Sequence, residues 1–257
     1  MKTMKTLRPI HPNKGIEAKY RKQIQSLIKA MIDSYDFWLT AAYRKNPPIM
    51  ATDELPSRTI NNYMNELGKR WLKNFEDVMN NIADLMVYKQ IKVTDTTMRG
   101  LLKDAGFAVE FKMTKAMQDI ARASIIENVG LIKSIPQQFH QKVQGAVMRS
   151  YTQGHDLYTM KKDLKEIYAV TEKRATLIAR DQCSKLNSQT TRARQEELGF
   201  TQAIWMHSSA GKKPRPEHVA ANGKTYDVEK GMFLEGEWTW PGYMINCRCT
   251  SRIVLPF

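Results

Sequence analysis

The sequence predicts an α+β fold, with a predominantly helical N-terminal region and a small irregular β-containing C-terminal module. Three observations carry this. Apolar residues recur at the 3.6-residue spacing of a buried helix face through much of the chain before Gly199. After Gly199 that rhythm stops, and short extended runs alternate with Gly- and Pro-rich turns. The 257 residues are 42% hydrophobic and 26% charged, a globular composition. The expected division is 1–154, a helical region with a basic N-terminal arm and a long helical hairpin, and 155–257, with helices across 155–198 and a β-rich module over 200–257.

The first helix is predicted over residues 16–43, because Tyr20, Ile24, Leu27, Ile28, Met31, Tyr35, Trp38, Leu39 and Ala42 fall on one face. Asn46-Pro47-Pro48 ends it. A second helix follows Ser57 as N-cap and carries Ile60, Tyr63, Met64, Leu67, Trp71, Phe75, Val78, Ile82 and Leu85. Two helices of this length predict an antiparallel hairpin with a packed seam. Shorter helices are expected over 95–103 after Thr94, 115–129 after Thr114, and 137–151 after Pro136. The stretch 155–168 then leads through Ala169-Val170 to a helix capped by Thr171, running over 172–198 and stopped by Gly199. Such a pair of helices suits packing, or a helix-turn-helix reader; nine basic residues stand against seven acidic ones over 155–199, a balance that favours packing. Strands are predicted over 202–206 and 253–255. Trp205, Trp238 and Trp240 are the expected module core.

Charge speaks to partners. The net charge of +14 attracts polyanions, and ten Lys and Arg against three acids fall in residues 1–50. Lys2, Lys5, Arg8 and Lys14 form either a solvated tail or a surface for double-stranded DNA or a partner. No apolar run reaches the roughly 20 residues that span a bilayer, and residues 1–12 lack a signal peptide's apolar stretch. Synthesis is therefore expected to end in the cytoplasm. Three cysteines, two of them in Cys247-Arg248-Cys249, do not make a disulfide framework.

Chemistry concentrates after Trp205. Two thiols at a spacing of two, with His218 and His207 brought alongside, make a donor set for structural zinc; buried thiols and a satisfied His without metal are the alternative. Arg215 and His218 could instead bind phosphate and move a proton, or His218 could serve Cys247 or Cys249 as a nucleophile, with Asp227 and Glu217 the only nearby carboxylates in sequence. A third possibility is that Arg215 locks an irregular fold through carbonyls or a carboxylate. Asn222-Gly223 and Pro241-Gly242 are turn chemistry.

The residues Trp205, Arg215, His218, Gly223, Pro241, Gly242, Cys247, Arg248 and Cys249, together with the helix segment from Arg174 to Gln182, resemble the signature of the phage Mu F-like minor head proteins, also called phage head morphogenesis proteins. The resemblance covers roughly residues 155–255. Many members have an Asp four residues before the motif Arg, where this chain has Gly211. The resemblance implies a virion protein and not an enzyme. It would be present in few copies in the capsid interior near the portal, after assembly in the host cytoplasm. Its expected partners are the portal protein, scaffold or major capsid protein, and DNA, with no membrane. The rival readings are a nucleic-acid-processing enzyme using Arg215 and His218, and a zinc-stabilised nucleic-acid-binding module.

Overall fold

The computed structural model describes residues 5–45, 56–154, 157–209, 211 and 213–256. Four long helices come first: α1 (Lys14–Lys45), α2 (Pro56–Asp104), α3 (Lys115–Thr152) and α4 (Leu157–Glu197). The module follows as β1 (Gln202–Met206), α5 (Pro216–Ala220), β2 (Thr225–Asp227), β3 (Met232–Leu234), β4 (Glu237–Thr239) and β5 (Thr250–Ile253). The α+β class is as expected. Among the described residues no helix is long and apolar enough to cross a membrane.

The helices are fewer and longer than the sequence suggested, for a consistent reason. Thr94 does not cap a helix, because its hydroxyl donates to the Gln90 carbonyl at 2.9 Å from inside α2. Thr171 does the same to Ile167 at 2.8 Å inside α4, so there is no turn at Ala169-Val170 and no helix-turn-helix. Pro136 lies within α3 instead of opening a new helix. Ser57 stands inside the first turn of α2, which starts at Pro56. Thr114 is a true cap: its hydroxyl accepts from the Met117 N–H at 3.3 Å. Gly199 also ends α4 as expected. At φ 73° its N–H reaches the Glu196 carbonyl while that of Phe200 reaches Gln195, the paired bonds of a Schellman stop. The Asn46-Pro47-Pro48 break and His155 lie outside the described residues.

The fold separates into two compact units, each discontinuous in sequence: residues 20–83 with 127–178, and residues 1–19 with 84–126 and 179–257. The described residues of the first are helical apart from the turn at Gln153-Gly154. Tyr20, Ile24, Ile28, Met31, Tyr35 and Leu39 of α1 are buried along one face, as are Ile60, Met64, Leu67 and Phe75 of α2. Trp38, Tyr63 and Leu85, expected on those buried faces, are exposed. Three α1 hydroxyls find polar partners on α3: Tyr20 donates to Asn128 at 2.6 Å, Tyr35 lies 3.0 Å from His140, and Tyr43 lies 3.2 Å from Ser150. The near-constant offset along both helices shows that α1 and α3 run parallel.

In the second unit, β1 is the centre of an antiparallel sheet of order β2-β1-β5, and β3 pairs with β4 as a hairpin. The N-terminal segment joins this sheet: Thr6 bridges Val254, and Leu7 N–H donates to the Ile253 carbonyl at 3.0 Å. Leu7 and Ile10 are buried with Met98, Leu102, Phe200, Ile253 and Leu255. Residues 6–10 are therefore anchored to the core. α4 presents an unusual run of buried polar residues. Asn187 donates to the Ile10 carbonyl and accepts from Thr94, while Arg194 makes a bidentate pair with Asp95 at 2.9 and 2.8 Å. Desolvation works against the Arg194 charge, but hydrogen bonds to Asp95 and Glu197 outweigh it and hold its pKa above the ordinary value.

Candidate functional site

The module builds its site from three separate stretches of chain. β1 ends at Met206 and delivers His207, whose N–H donates to the Asn222 side chain at 2.9 Å. The Asn222-Gly223 turn is thus more than a reversal. Gly223 at φ 80° returns its N–H to the Trp205 carbonyl, while Asn222 fixes His207. α5 begins at Pro216 after Arg215 and turns His218 inward, where it is buried with its ring edge-on to Trp205 at 5.1 Å. The irregular stretch before β5 brings in Cys247 and Cys249, both buried.

These stretches converge on one point. His218 Nδ1 lies 3.4 Å from the Cys247 sulfur and 3.7 Å from that of Cys249, and His207 Nδ1 lies 3.6 Å from Cys249. The donor atoms of His218, Cys247 and Cys249 all lie within 4.8 Å of one another. The paired sulfurs share charge unequally. The hydrogen bond from Cys249, with His218 beside it, holds Cys247 well below the ordinary thiol range, and the same bond pushes Cys249 up. Cys183 is the third thiol; burial pushes it up to about 12.

The sequence-nominated residues divide by role. Arg215 pairs with Glu235 at 2.9 Å and donates to the Ile245 carbonyl at 3.1 Å. Neither nearby carboxylate reaches His218: Glu217 accepts from Glu235 N–H at 2.5 Å and Asp227 from Lys230 N–H at 2.8 Å, while His218 Nε2 faces the Met244 sulfur at 3.3 Å. Trp205 is buried as expected. Trp240 is partly buried and donates to the Val228 carbonyl at 2.9 Å. Trp238 is not core: it is 57% exposed and packs edge-on against the equally exposed Phe233 on the β3–β4 hairpin. A Cβ at Gly242 would meet the Cys249 carbonyl at 3.0 Å, and its φ of 86° already excludes most side chains, so the Pro241-Gly242 turn supports the Cys-x-Cys stretch directly.

Beside the donor cluster opens a cavity of about 840 Å³ whose wall includes Arg180, Lys213, Arg215 and Arg248. Arg180 and Asp181, on α4, both hold Asn246: Arg180 donates to its side chain at 2.5 Å and its N–H donates to Asp181 at 2.6 Å. Burial, then Arg248, lowers the Arg180 pKa against the pull of Glu17 and Asp181. Four cations around one concavity form an anion-attracting surface. The sequence reads Asn222 only as turn chemistry and does not single out Met244 or Asn246. Of the basic residues at the front, Lys5 and Arg8 are exposed, Lys14 pairs with Glu17 at 2.7 Å, and Lys2 lies outside the described residues.

Comparison with known proteins agrees with the motif. Residues 141–252 match the family described as Phage Mu protein F like protein. That stretch is what the chain shares with the Mu F-like family. It begins on α3, takes in all of α4 and holds the whole donor cluster. Over 128 residues the chain is also 38% identical to a protein of Haemophilus influenzae described as uncharacterized. That match covers 50% of this chain and 28% of the relative's length. No solved structure matches the chain.

Proposed function

We propose that this chain is a minor head protein of a tailed bacteriophage or prophage that acts at the portal vertex in head assembly, DNA packaging or DNA delivery. The observation that carries the reading is the Mu F-like domain over residues 141–252, whose resemblance is to head morphogenesis proteins. The site's contacts are in keeping with a structural part. Arg215 spends its donors on Glu235 and a backbone carbonyl, and His218 faces sulfur on both ring nitrogens, without the carboxylate orienter that an acid–base histidine commonly uses. The partners in this reading are the portal, with scaffold or major capsid protein beside it. The cationic cavity wall and the exposed Lys5 and Arg8 favour DNA as a further contact.

Co-expression with a cognate portal and scaffold, followed by quantification in purified heads, tests the proposal. A few copies per head, lost when the portal is omitted, is the expected result. Absence from the particles, or equal incorporation without the portal, overturns it. Steeply salt-dependent DNA binding in the absence of any portal association would favour the nucleic-acid-binding reading instead. Turnover of nucleic acid abolished by His218→Ala would favour the enzyme.

A further inference from the structure

We infer that His207, His218, Cys247 and Cys249 are the four ligands of a tetrahedral zinc ion that pins the module together, whatever the domain does in the head. The donor chemistry is the first support: two thiols and two imidazole nitrogens are a common structural zinc set. The spacing is the second. Zinc–sulfur bonds of roughly 2.3 Å and zinc–nitrogen bonds of roughly 2.0–2.1 Å place sulfur and nitrogen on one tetrahedral ion roughly 3.6 Å apart. Three of the four sulfur–nitrogen separations here are 3.4, 3.6 and 3.7 Å.

Hydrogen bonding alone accounts for this less well. His218 Nδ1 is within reach of both sulfurs, yet one ring nitrogen has a single proton or a single lone pair to offer. As hydrogen bonds the two contacts compete; as ligands they coexist, because the lone pair points at a centre shared with both thiolates. Coordination through Nδ1 leaves the proton on Nε2, where the Met244 sulfur stands at 3.3 Å as a weak acceptor. The approach of each ligand is also prepared. Asn222 holds the His207 backbone, Trp205 packs against the His218 ring, Gly242 backs onto Cys249, and the Cys247 N–H donates to the Met244 carbonyl at 2.9 Å.

Need and charge agree with this. The module's own core cluster consists of Ala203, Trp205, Ala221, Tyr226, Val228 and Leu234 with the two cysteines, and its strands are three to five residues long. A core this thin gains from a staple that joins the end of β1, α5 and the approach to β5. Two thiolates neutralise a divalent ion, so the neighbouring Arg180 and Arg248 keep their charge for the cavity. His207, half-buried on the cavity side, closes the fourth position that a three-ligand site would leave open.

The full chain, purified without chelator, is expected to contain about one zinc per molecule by elemental analysis. Cobalt(II) exchanged for that zinc should give the intense visible bands of a tetrahedral site together with thiolate charge transfer in the near ultraviolet. His207→Ala should change the cobalt bands and weaken metal retention by more than the roughly 10- to 100-fold typical of losing an outer-shell partner. Unchanged cobalt bands in His207→Ala would overturn the four-ligand assignment. Because Cys247→Ser or Cys249→Ser risks misfolding, thiol reactivity of the unmodified chain provides an independent readout. A chelator should expose Cys247 and Cys249 to a thiol reagent while the buried Cys183 stays protected. Metal-free protein whose thiols react equally with and without chelator would overturn the site altogether.

Discussion

The helical unit of residues 20–83 and 127–178 and the module of residues 200–256 are stabilised by different physics. In the first, burial is repetitive. Side chains such as Ile24, Ile28, Met31, Phe75 and Phe139 are buried at helical spacing, and tyrosine hydroxyls are among its polar contacts. In the module, apolar burial is thin and individual contacts are specific: turn glycines held at φ > 0, an Arg between a carboxylate and a carbonyl, and imidazoles on sulfurs. Many residues share the work in the first case, and few in the second. The module can therefore hold a chemical arrangement that a uniformly packed bundle has no cause to build, whereas the bundle tolerates changes that conserve volume.

The largest expected effects test whether α4 follows the bundle's rule or the module's. Phe139 is buried in the helical unit, and Phe139→Ala should cost about 3–5 kcal/mol by leaving a cavity. Arg194, on α4 in the other unit, is 1% exposed and bidentate to Asp95. Arg194→Ala should cost about 3 kcal/mol, but by leaving a half-buried carboxylate without its partner. The two losses are separable by a second substitution. Adding Asp95→Leu to an Arg194→Met chain should recover much of the stability, because a well-packed apolar pair replaces an ion pair at little net cost. Denaturant midpoints check this. A double variant no more stable than Arg194→Ala would show that α4 depends on the pair itself and not on relief of a stranded charge.

A middle-sized effect belongs to Gly242. Gly242→Ala forces a side chain into the left-handed region and towards the Cys249 carbonyl, which should cost about 1–3 kcal/mol. Gly154 also has φ > 0, at 66°, but nothing lies within 4 Å of its virtual Cβ, so Gly154→Ala should carry only the conformational part. Equal losses at the two positions, measured by thermal unfolding, would mean that the contact with the Cys-x-Cys stretch contributes nothing.

How far the sequence could be read follows the same division. Periodicity located the buried face of α1 and the end of α4, since a 3.6-residue repeat and a Gly stop are local signals. It failed at Thr94, Pro136 and Thr171 because each residue type serves equally well to start a helix or to sit inside one, and only the direction of the hydroxyl, or the neighbouring turns, decides. The metal-type donors His207, His218, Cys247 and Cys249 were legible as residue types. That they meet depends on β1, α5 and the approach to β5 converging. The Arg194–Asp95 pair left no trace, because 99 residues separate its members and nothing local distinguishes a buried Arg from an exposed one. Trp238 was misjudged by composition: on a two-stranded hairpin, one face has nothing to pack against.

The smallest effect bears on that ambiguity between starting and continuing a helix. Thr114 satisfies an otherwise unpaired N–H at the head of α3, so Thr114→Ala should cost about 1 kcal/mol, as losing an N-cap usually does. Thr171 bonds a carbonyl that the helix already satisfies, and alanine is the better helix former there. Thr171→Ala should therefore stay within about 0.5 kcal/mol, the propensity gain offsetting the loss of a buried methyl and a redundant hydroxyl contact. Chemical denaturation of the two single variants gives the comparison directly. A Thr171→Ala loss as large as that of Thr114→Ala would mean that α4 does begin anew at Thr171 in solution, restoring the two-helix reading of residues 155–198.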